Sequence, residues 1–358
     1  MKPESERRPT IATVVANTEA FQTIPDVLDA SSPQRSVGCC AVPVVRVIMS
    51  TFNGAKFLPE LLTSVSQQSG ASVRWWIRDD GSSDPTQEIL KDASSRTNMH
   101  ISVGSNRGAV SSFLELLQSC PRDADFYALC DQDDVWLPNK LARAAQQLSV
   151  CEAGTPSLYC SRLVVVDGLL RRLRLSPLPR RPVGLQNALV ENVAIGCTIV
   201  MNASALALLQ QATPDPKRVG MHDAWAYLVV SACGTVVFDP VPSILYRQHG
   251  ANVVGSRYGV RALQRRFGHV LDSRHRLAPI ARDAELEHWY GQSMDVTRTE
   301  LVRRHLTGTC APSLRERWRY ALTATVYRQS CIDDIAMRAL ITLGGYRMHR
   351  EFGHVCRN

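Results

Sequence analysis

Short apolar runs alternate with amphipathic stretches through the first 150 residues of the chain. The run Val44–Met49 is broken only by Arg46, which is the pattern of a strand buried on both faces. Apolar residues then recur at helical spacing from Phe57 to Val65. The same cycle repeats three times, with strands predicted at 73–77, 101–103 and 126–130 and a helix after each. This alternation predicts an α/β fold with a mostly parallel central sheet flanked by helices.

The pattern changes after about residue 155. Strands are predicted at 158–166, 193–201, 236–238 and 244–248, with an arginine-rich irregular stretch at 171–181. Residues 1–42 lack strong periodicity and are rich in Ser, Thr, Pro and charge, so a disordered leader is expected. The predicted organisation is therefore a leader (1–42), an α/β domain (43–256) and a basic helical extension (257–358).

Composition narrows the class of protein. The formal net charge of +8 indicates anionic partners, which could be nucleotides, phospholipid surfaces or nucleic acid. The 11 cysteines include no Cys-x-x-Cys pair, which disfavours zinc ribbons and redox motifs. The charged first ten residues lack the apolar segment of a secretory signal, and no apolar stretch reaches the roughly 18 residues of a membrane span. A cytoplasmic protein with reduced thiols is expected.

Three acidic loops mark the candidate chemistry. Asp79-Asp80 and Asp131–Asp134 follow predicted strands, and His222-Asp223 opens an apolar helical stretch. In an open α/β sheet, ligands bind beyond the carboxyl ends of the strands. We therefore expect these loops to converge on one active site.

Asp131 and Asp133 stand one residue apart directly after a strand. Two such carboxylates can share a hard cation, because hard cations prefer oxygen ligands. The cation would bridge the two phosphates of a nucleotide-sugar and stabilise charge on the departing diphosphate. The alternative is that these acids serve only the dipole of the following helix. His249 is a further candidate metal ligand, although a single histidine near a strand end is more often structural.

Further residues are candidates for binding the nucleoside of the donor or for activating the acceptor. The Asp79 carboxylate can accept a hydrogen bond from the imide N–H of uracil or thymine, with an Asx-turn as the alternative. Ser50, Thr51 and Phe52 leave the first strand, where a hydroxyl and an aromatic face could hold the base and ribose. Asp223 is a candidate general base for an acceptor hydroxyl, with a helix N-cap as the alternative.

In combination, these segments resemble family-2 inverting glycosyltransferases of the GT-A fold. The matching segments are VRVIMSTFNG (45–54), DDGSSD (79–84) and DQDDVW (131–136). Two later segments, HDAW (222–225) and YRQHGANVVG (246–255), are similar to the bacterial rhamnosyltransferase-like branch. The resemblance covers about residues 44–256 and leaves out the leader and the helical tail.

The resemblance implies a GT-A nucleotide-diphospho-sugar transferase fold and a role for each matching position. Asp133 would be the main ligand of a Mg²⁺ or Mn²⁺ ion, and Asp131 would hold the ribose or the metal. Asp223 would be the catalytic base of a single displacement with inversion. The remaining implied contacts are Ser50, Phe52 and Asp79 to the nucleoside, Arg107 to the donor phosphates, and Gly196 and Trp225 on the acceptor side.

The implied activity is transfer of a sugar from a nucleotide-diphosphate donor to a glycan or lipid-linked acceptor in cell-surface polysaccharide synthesis. In this branch the donor is commonly a deoxythymidine-diphosphate-linked rhamnose. The chain departs from the branch at Ala224, where an aromatic residue is frequent, and at Met221. Both departures fall on the acceptor side.

Two other functions are considered. A nucleotidyltransferase normally needs a Gly-rich loop with Arg and Lys after the first strand, and residues 50–56 contain one glycine. A non-catalytic nucleotide-sugar or glycan-binding relative would not need Asp131, Asp133 and Asp223, and all three are present.

The tail at 257–358 interleaves many arginines with apolar residues. Such a pattern could lie on an anionic membrane, here the inner face of the cytoplasmic membrane. The alternative is a helical cap whose charges face water. No reader motif for nucleic acid accompanies the charge, so a nucleic-acid partner is not expected.

Overall fold

The computed structural model of the chain describes residues 42–248 and 273–346. The predicted leader therefore lies outside the described residues except for its last position. His249 and the first part of the basic tail also lie outside them.

The first part of the chain alternates strands and helices as the pattern predicts. Its elements are β1 (Val44–Thr51), α1 (Leu58–Ser66), β2 (Ser72–Asp79), α2 (Thr86–Ser94), β3 (Met99–Val103), α3 (Ala109–Ser119), β4 (Phe126–Cys130), β5 (Val135–Trp136) and α4 (Lys140–Ser149). The later part follows with β6 (Ser157–Ser161), β7 (Val164–Val166), β8 (Arg172–Leu175), α5 (Leu185–Ala188), a 3-10 turn (Gly196–Thr198), β9 (Val200–Asn202), α6 (Ala203–Leu209), α7 (Pro216–Val219), α8 (His222–Cys233), β10 (Thr235–Asp239) and β11 (Ile244–Arg247). Four helices follow in the C-terminal part: α9 (Ser273–Tyr290), α10 (Val296–Thr309), α11 (Leu314–Thr323) and α12 (Cys331–Leu343).

The central sheet has seven strands in the order β10-β6-β9-β4-β1-β2-β3. Strand β1 pairs in parallel with both β2 and β4, and only β9 runs antiparallel to its neighbours. The predicted mostly parallel sheet is confirmed. Strand β1 is buried on both faces, since Val47 joins one apolar cluster and Ile48 joins the other. Its one charged residue, Arg46, is accommodated by an ion pair with Asp123 at 2.6 Å.

Two apolar runs do not form the single strands that their composition predicts. The run 158–166 forms two strands, because β6 belongs to the central sheet and β7 to a second sheet of order β5-β11-β7-β8. The run 193–201 is strand only from Val200, since the 3-10 turn precedes it and Thr198 Oγ1 donates to the Ile195 carbonyl. Both runs are well buried, and burial alone does not distinguish a strand from a buried turn.

The C-terminal helices pack on the α/β part. The guanidinium of Arg282 donates to the carbonyl oxygens of Ala188 and Leu189, and Arg218 forms an ion pair with Glu285 at 2.7 Å. Residues 273–346 contain helices and no strands, as the sequence predicts. Across the described residues, every helix is too short or too polar to cross a membrane.

Candidate active site

Three loops leave the same edge of the sheet side by side. In the parallel register, Thr51 of β1 stands opposite Asp79 of β2, and Met49 stands opposite Cys130 of β4. The carboxyl ends of β4, β1 and β2 are therefore adjacent, and neighbouring strands lie about 4.8 Å apart. The sheet brings together the nucleoside-side loops and the acidic loop that the sequence predicts as one site.

The first two loops are joined by hydrogen bonds. The Asn53 backbone N–H donates to Ser82 Oγ at 2.9 Å, and Asn53 Oδ1 accepts the Ser83 N–H at 2.9 Å. Asn53 has a φ of 49°, in the left-handed region that asparagine tolerates better than most residues. Asn53 therefore connects the loop after β1 to the loop after β2.

Asp79 organises this pair of loops. Its carboxylate accepts hydrogen bonds from Thr51 Oγ1 at 2.9 Å, the Ser82 N–H at 2.9 Å, Ser82 Oγ at 2.6 Å and Gln87 Nε2 at 2.9 Å. The residue is 0% exposed. Four donors use the acceptor positions that a carboxylate offers. The nucleobase contact of Asp79 stays a prediction, and it requires one of these donors to move.

The Asp80 carboxylate connects the loop after β2 to the loop after β3, which contains Arg107. Its carboxylate accepts from Arg78 Nε at 2.9 Å, from Ser112 Oγ at 2.6 Å and from the Arg107 backbone N–H at 3.2 Å. The Arg107 guanidinium is largely exposed and pairs with Glu115 at 2.9 Å. Arg107 is thus held near the donor side by its backbone, and its phosphate contact stays a prediction.

Gln132 clamps the first loop to the acidic loop. Its Oε1 accepts the Phe52 N–H at 2.9 Å, and its Nε2 donates to the Phe52 carbonyl at 3.0 Å. The clamp leaves the Phe52 ring 42% exposed, available to a ligand. Gln132 was not predicted from the sequence as a site residue, although its position between Asp131 and Asp133 was an available signal.

Substituting alanine for Gly54 tests this clamp. A Cβ atom at this position would lie 2.3 Å from Gln132 Oε1, so the glutamine must leave Phe52. We expect Gly54→Ala to weaken nucleotide binding by up to about thirtyfold, because two hydrogen bonds to backbone, each about 1 kcal/mol net, are lost from the loop that carries Phe52. Calorimetric titration with a nucleotide measures this. Gly168→Ala is the matched control, since nothing lies within 4 Å of a Cβ there. Unchanged affinity in Gly54→Ala would show that the clamp is dispensable.

The acidic loop concentrates negative charge. A carboxylate oxygen of Asp131, one of Asp134 and Cys197 Sγ all lie within 4.8 Å of one another. Burial raises the pKa of Asp131 to about 7, and the charges of Asp133 and Asp223 add to the rise. Burial, Asp133 and Asp131 likewise raise the pKa of Asp134 well above its ordinary value. The carboxylates of Asp133 and Asp223 therefore lie close enough to Asp131 for their charges to act on it.

The donor set fits a hard cation through its carboxylates and not through its thiol. Asp134 Oδ2 is buried and has no conventional hydrogen-bond partner among the described residues. Burial holds the pKa of the Cys197 thiol well above its ordinary value, so it stays neutral and is a poor ligand for Mg²⁺ or Mn²⁺. Asp134 is an addition to the sequence-predicted metal ligands, Asp131 and Asp133. The third predicted ligand, His249, lies outside the described residues.

Arg247 forms hydrogen bonds with two residues of the acidic loop. Its Nε donates to the Asp133 carbonyl at 2.8 Å, and its backbone N–H donates to Asp134 Oδ1 at 3.0 Å. The guanidinium also pairs with Glu60 and lies 4.5 Å from the centroid of the Phe57 ring. Arg247 was not predicted from sequence as a site residue. It connects the small sheet to the loop that carries the candidate metal ligands.

Lys140 supplies a buried positive charge beneath the same loop. Its Nζ donates to the Cys197 carbonyl at 2.6 Å and lies 3.4 Å from the centroid of the Trp136 ring. Burial lowers the pKa of Lys140 to about 8. The ammonium partly offsets the carboxylates and fixes the 3-10 turn that contains Gly196.

Asp223 is held at the start of α8. Its Oδ2 accepts the Gly196 N–H at 3.1 Å, and its Oδ1 accepts the Ala224 N–H at 2.6 Å. The helix N-cap is Met221, so Asp223 lies inside the first turn and the N-cap alternative does not describe it. A Cβ atom on Gly196 would lie 3.1 Å from His222 Nε2, which explains why a glycine suits the turn.

Trp225 lies in the apolar core. The side chain is 1% exposed and packs in the apolar core, with its ring 6.0 Å from that of Tyr290. The helical period places it on the inward face of α8, two positions after Asp223. The acceptor-side contact of Trp225 stays a prediction. Gly196 lies directly beside Asp223, whose carboxylate accepts its N–H.

Comparison with known proteins agrees with this geometry. Residues 46–205 match the family described as Glycosyl transferase family 2. The dTDP-rhamnosyl transferase RfbG of Shigella flexneri is 26% identical over 238 residues, which cover 64% of this chain and 81% of that protein. The crystal structure of S. aureus TarS 1-349 in complex with UDP superposes with a TM-score of 0.53 at 14% identity, covering 85% of this chain and 89% of that one. Its complex with UDP-GlcNAc gives 0.50 at 15% identity, with the same coverage. The predicted GT-A fold is confirmed.

Proposed function

We propose that this chain is a family-2 glycosyltransferase of the rhamnosyltransferase-like type, and that it transfers rhamnose from a deoxythymidine-diphosphate donor with inversion. The acceptor is a glycan or a lipid-linked saccharide in cell-surface polysaccharide synthesis. One observation supports the proposal most directly. The candidate base, Asp223, accepts the Gly196 N–H at 3.1 Å. The next residue of that 3-10 turn, Cys197, has its Sγ within 4.8 Å of a carboxylate oxygen of Asp131, so the turn connects the base to the acidic loop.

Donor binding falls to the loops at the ends of β1, β2 and β4. The Phe52 ring offers an aromatic face to the base, and Gln132 holds its backbone. Asp131 and Asp133 would hold a divalent cation, with Asp134 as a buried neighbour. Such a cation, when bound, stabilises the charge that develops on the departing diphosphate. Arg247 fixes the backbone of Asp133, so the carboxylates keep their spacing when the donor arrives.

Asp223 performs the proton transfer. Its carboxylate removes the proton from an acceptor hydroxyl while that oxygen attacks the anomeric carbon from the face opposite the diphosphate. Attack from that face inverts the configuration at the anomeric carbon. The Gly196 N–H holds Oδ2 in place, and Lys140 holds the same 3-10 turn through the Cys197 carbonyl. This arrangement keeps the base oriented without neutralising it.

Thermal unfolding with a panel of nucleotide-sugars tests the proposal. We expect dTDP-rhamnose with Mg²⁺ or Mn²⁺ to raise Tm by several degrees, because ligand at 100 times its Kd stabilises the native state by about 2.7 kcal/mol. Chelation of the cation should remove most of the shift. A panel in which no nucleotide-sugar stabilises the protein, with either cation, would overturn the donor assignment. Equal stabilisation with and without cation would overturn the metal assignment.

A further inference from the structure

Helix α11 carries an exposed apolar stripe. Leu314, Trp318 and Leu322 are 59%, 55% and 63% exposed and follow one another at intervals of four residues. That spacing places them on one face of the helix. The buried side of α11 is formed by Arg317, Tyr320 and Ala321, so the stripe is not part of the core packing. Single exposed apolar residues are ordinary, but a stripe that includes a tryptophan is not.

The next helix, α12, also carries exposed apolar residues. Ile332, Ile335 and Leu343 of α12 are 79%, 68% and 76% exposed. The two helices are antiparallel, since Arg317 Nε donates to the Thr342 carbonyl at 3.1 Å and the Arg338 guanidinium donates to the Ala321 carbonyl. The pair is therefore a fixed unit that presents apolar side chains from both helices.

Unpaired positive charge borders the stripe. Arg315 and Arg319 are exposed and form no ion pair with any described residue. The single acid of α11, Glu316, is engaged by the Ser313 hydroxyl and N–H in a capping box. The charge of this helix surface is therefore positive. We name the surface formed by Leu314, Arg315, Trp318, Arg319 and Leu322 the basic apolar face.

We propose that the basic apolar face docks on an anionic phospholipid membrane. Leucine and tryptophan side chains insert at the boundary between headgroups and acyl chains, and the adjacent guanidinium groups bind lipid phosphates. A second copy of the chain is a poorer occupant, because two copies of a face with unpaired arginines would repel one another. This peripheral contact goes beyond sugar transfer and does not depend on it. Docking places the chain on the surface where a lipid-linked acceptor would lie.

Sedimentation of the full-length chain with vesicles tests the proposal. We expect binding to vesicles that contain phosphatidylglycerol, weaker binding at high salt, and little binding to pure phosphatidylcholine vesicles. Trp318→Ala should lower the partition coefficient about tenfold, because an interfacial aromatic anchor is lost. Arg315→Gln and Arg319→Gln should each lower it about fivefold. These positions are exposed, so the variants should keep their circular dichroism spectra.

Two matched controls lie on other helices or loops. Val150→Ala removes an exposed apolar side chain next to α4, and Lys91→Gln removes an exposed charge on α2. Both should bind vesicles as the wild type does. Equal binding by all variants, or no binding by the wild type, would overturn the proposal. Sedimentation velocity measures whether the chain dimerises. If the wild type is a dimer that does not bind vesicles, and Trp318→Ala is a monomer, the proposal is overturned and the basic apolar face is assigned to self-association.

Discussion

Asp133→Ala is expected to lower kcat/KM for sugar transfer by about three orders of magnitude or more. The charge of the Asp133 carboxylate adds to the rise in the pKa of both Asp131 and Asp134. A bound divalent ion contributes several kcal/mol of stabilisation to a developing diphosphate charge, and each 1.36 kcal/mol is a factor of ten in rate. The fold should survive, because Arg247 binds the backbone carbonyl of Asp133, which alanine retains.

The measurement is the initial transfer rate over a range of Mn²⁺ and Mg²⁺ concentrations, with Tm recorded for each variant. Asp92→Ala is the matched control, since it removes an exposed carboxylate that pairs only with Arg96 on α2. The control should keep the wild-type rate and cation dependence. A wild-type rate in Asp133→Ala would refute its assignment as a metal ligand.

The sequence was sufficient to predict the elements that place the site. The alternation of buried strands and amphipathic helices predicted β1, β2 and β4, and parallel strands necessarily end at one edge of a sheet. Acidic residues that follow such strands therefore had to meet. The periodicity of each strand and helix is visible within a short stretch of sequence, and parallel pairing then determines which strand ends are adjacent.

The residues that hold the site together were not predictable in the same way. Arg247 reaches Asp133 and Asp134 from more than 110 positions away, and Lys140 reaches the Cys197 carbonyl across 57. Periodicity carries no information about which distant backbone groups an arginine or lysine will meet. Buried charges of this kind are identified only after the tertiary contacts are known.

The charge arrangement links the cation site to the base. Asp131, Asp133 and Asp223 lie close together, with Lys140 as a buried positive charge beneath them. In the absence of a further cation, burial and mutual repulsion raise the pKa of Asp131 to about 7. Like charges in a buried site favour protonation of one member or the binding of a cation. A cation bound at Asp131 and Asp133, as proposed above, would relieve this repulsion.

Asp223→Asn is expected to lower the transfer rate by between two and four orders of magnitude, the usual range for loss of a general base. An amide cannot accept the hydroxyl proton, so the acceptor oxygen must attack while still protonated. The donor should bind with wild-type affinity, because Asp223 contacts the Gly196 turn and not the loops at Phe52 and Asp79. Removal of its charge also lowers the pKa of Asp131, so cation binding should be undiminished.

The readout that separates base loss from misfolding is the ratio of two rates on the same donor. Hydrolysis of the nucleotide-sugar by water depends on the cation and the donor loops, whereas transfer to the acceptor also depends on the base. We expect Asp223→Asn to lose transfer while it retains cation-dependent hydrolysis and the calorimetric affinity for the donor. In the wild type, the two carboxylate oxygens accept hydrogen bonds from the N–H groups of Gly196 and Ala224. In Asp223→Asn, the amide NH₂ takes the place of one of these oxygens and one hydrogen bond is lost. The free energy of unfolding should therefore fall by about 1 kcal/mol. Transfer at an undiminished rate would mean that another group removes the proton.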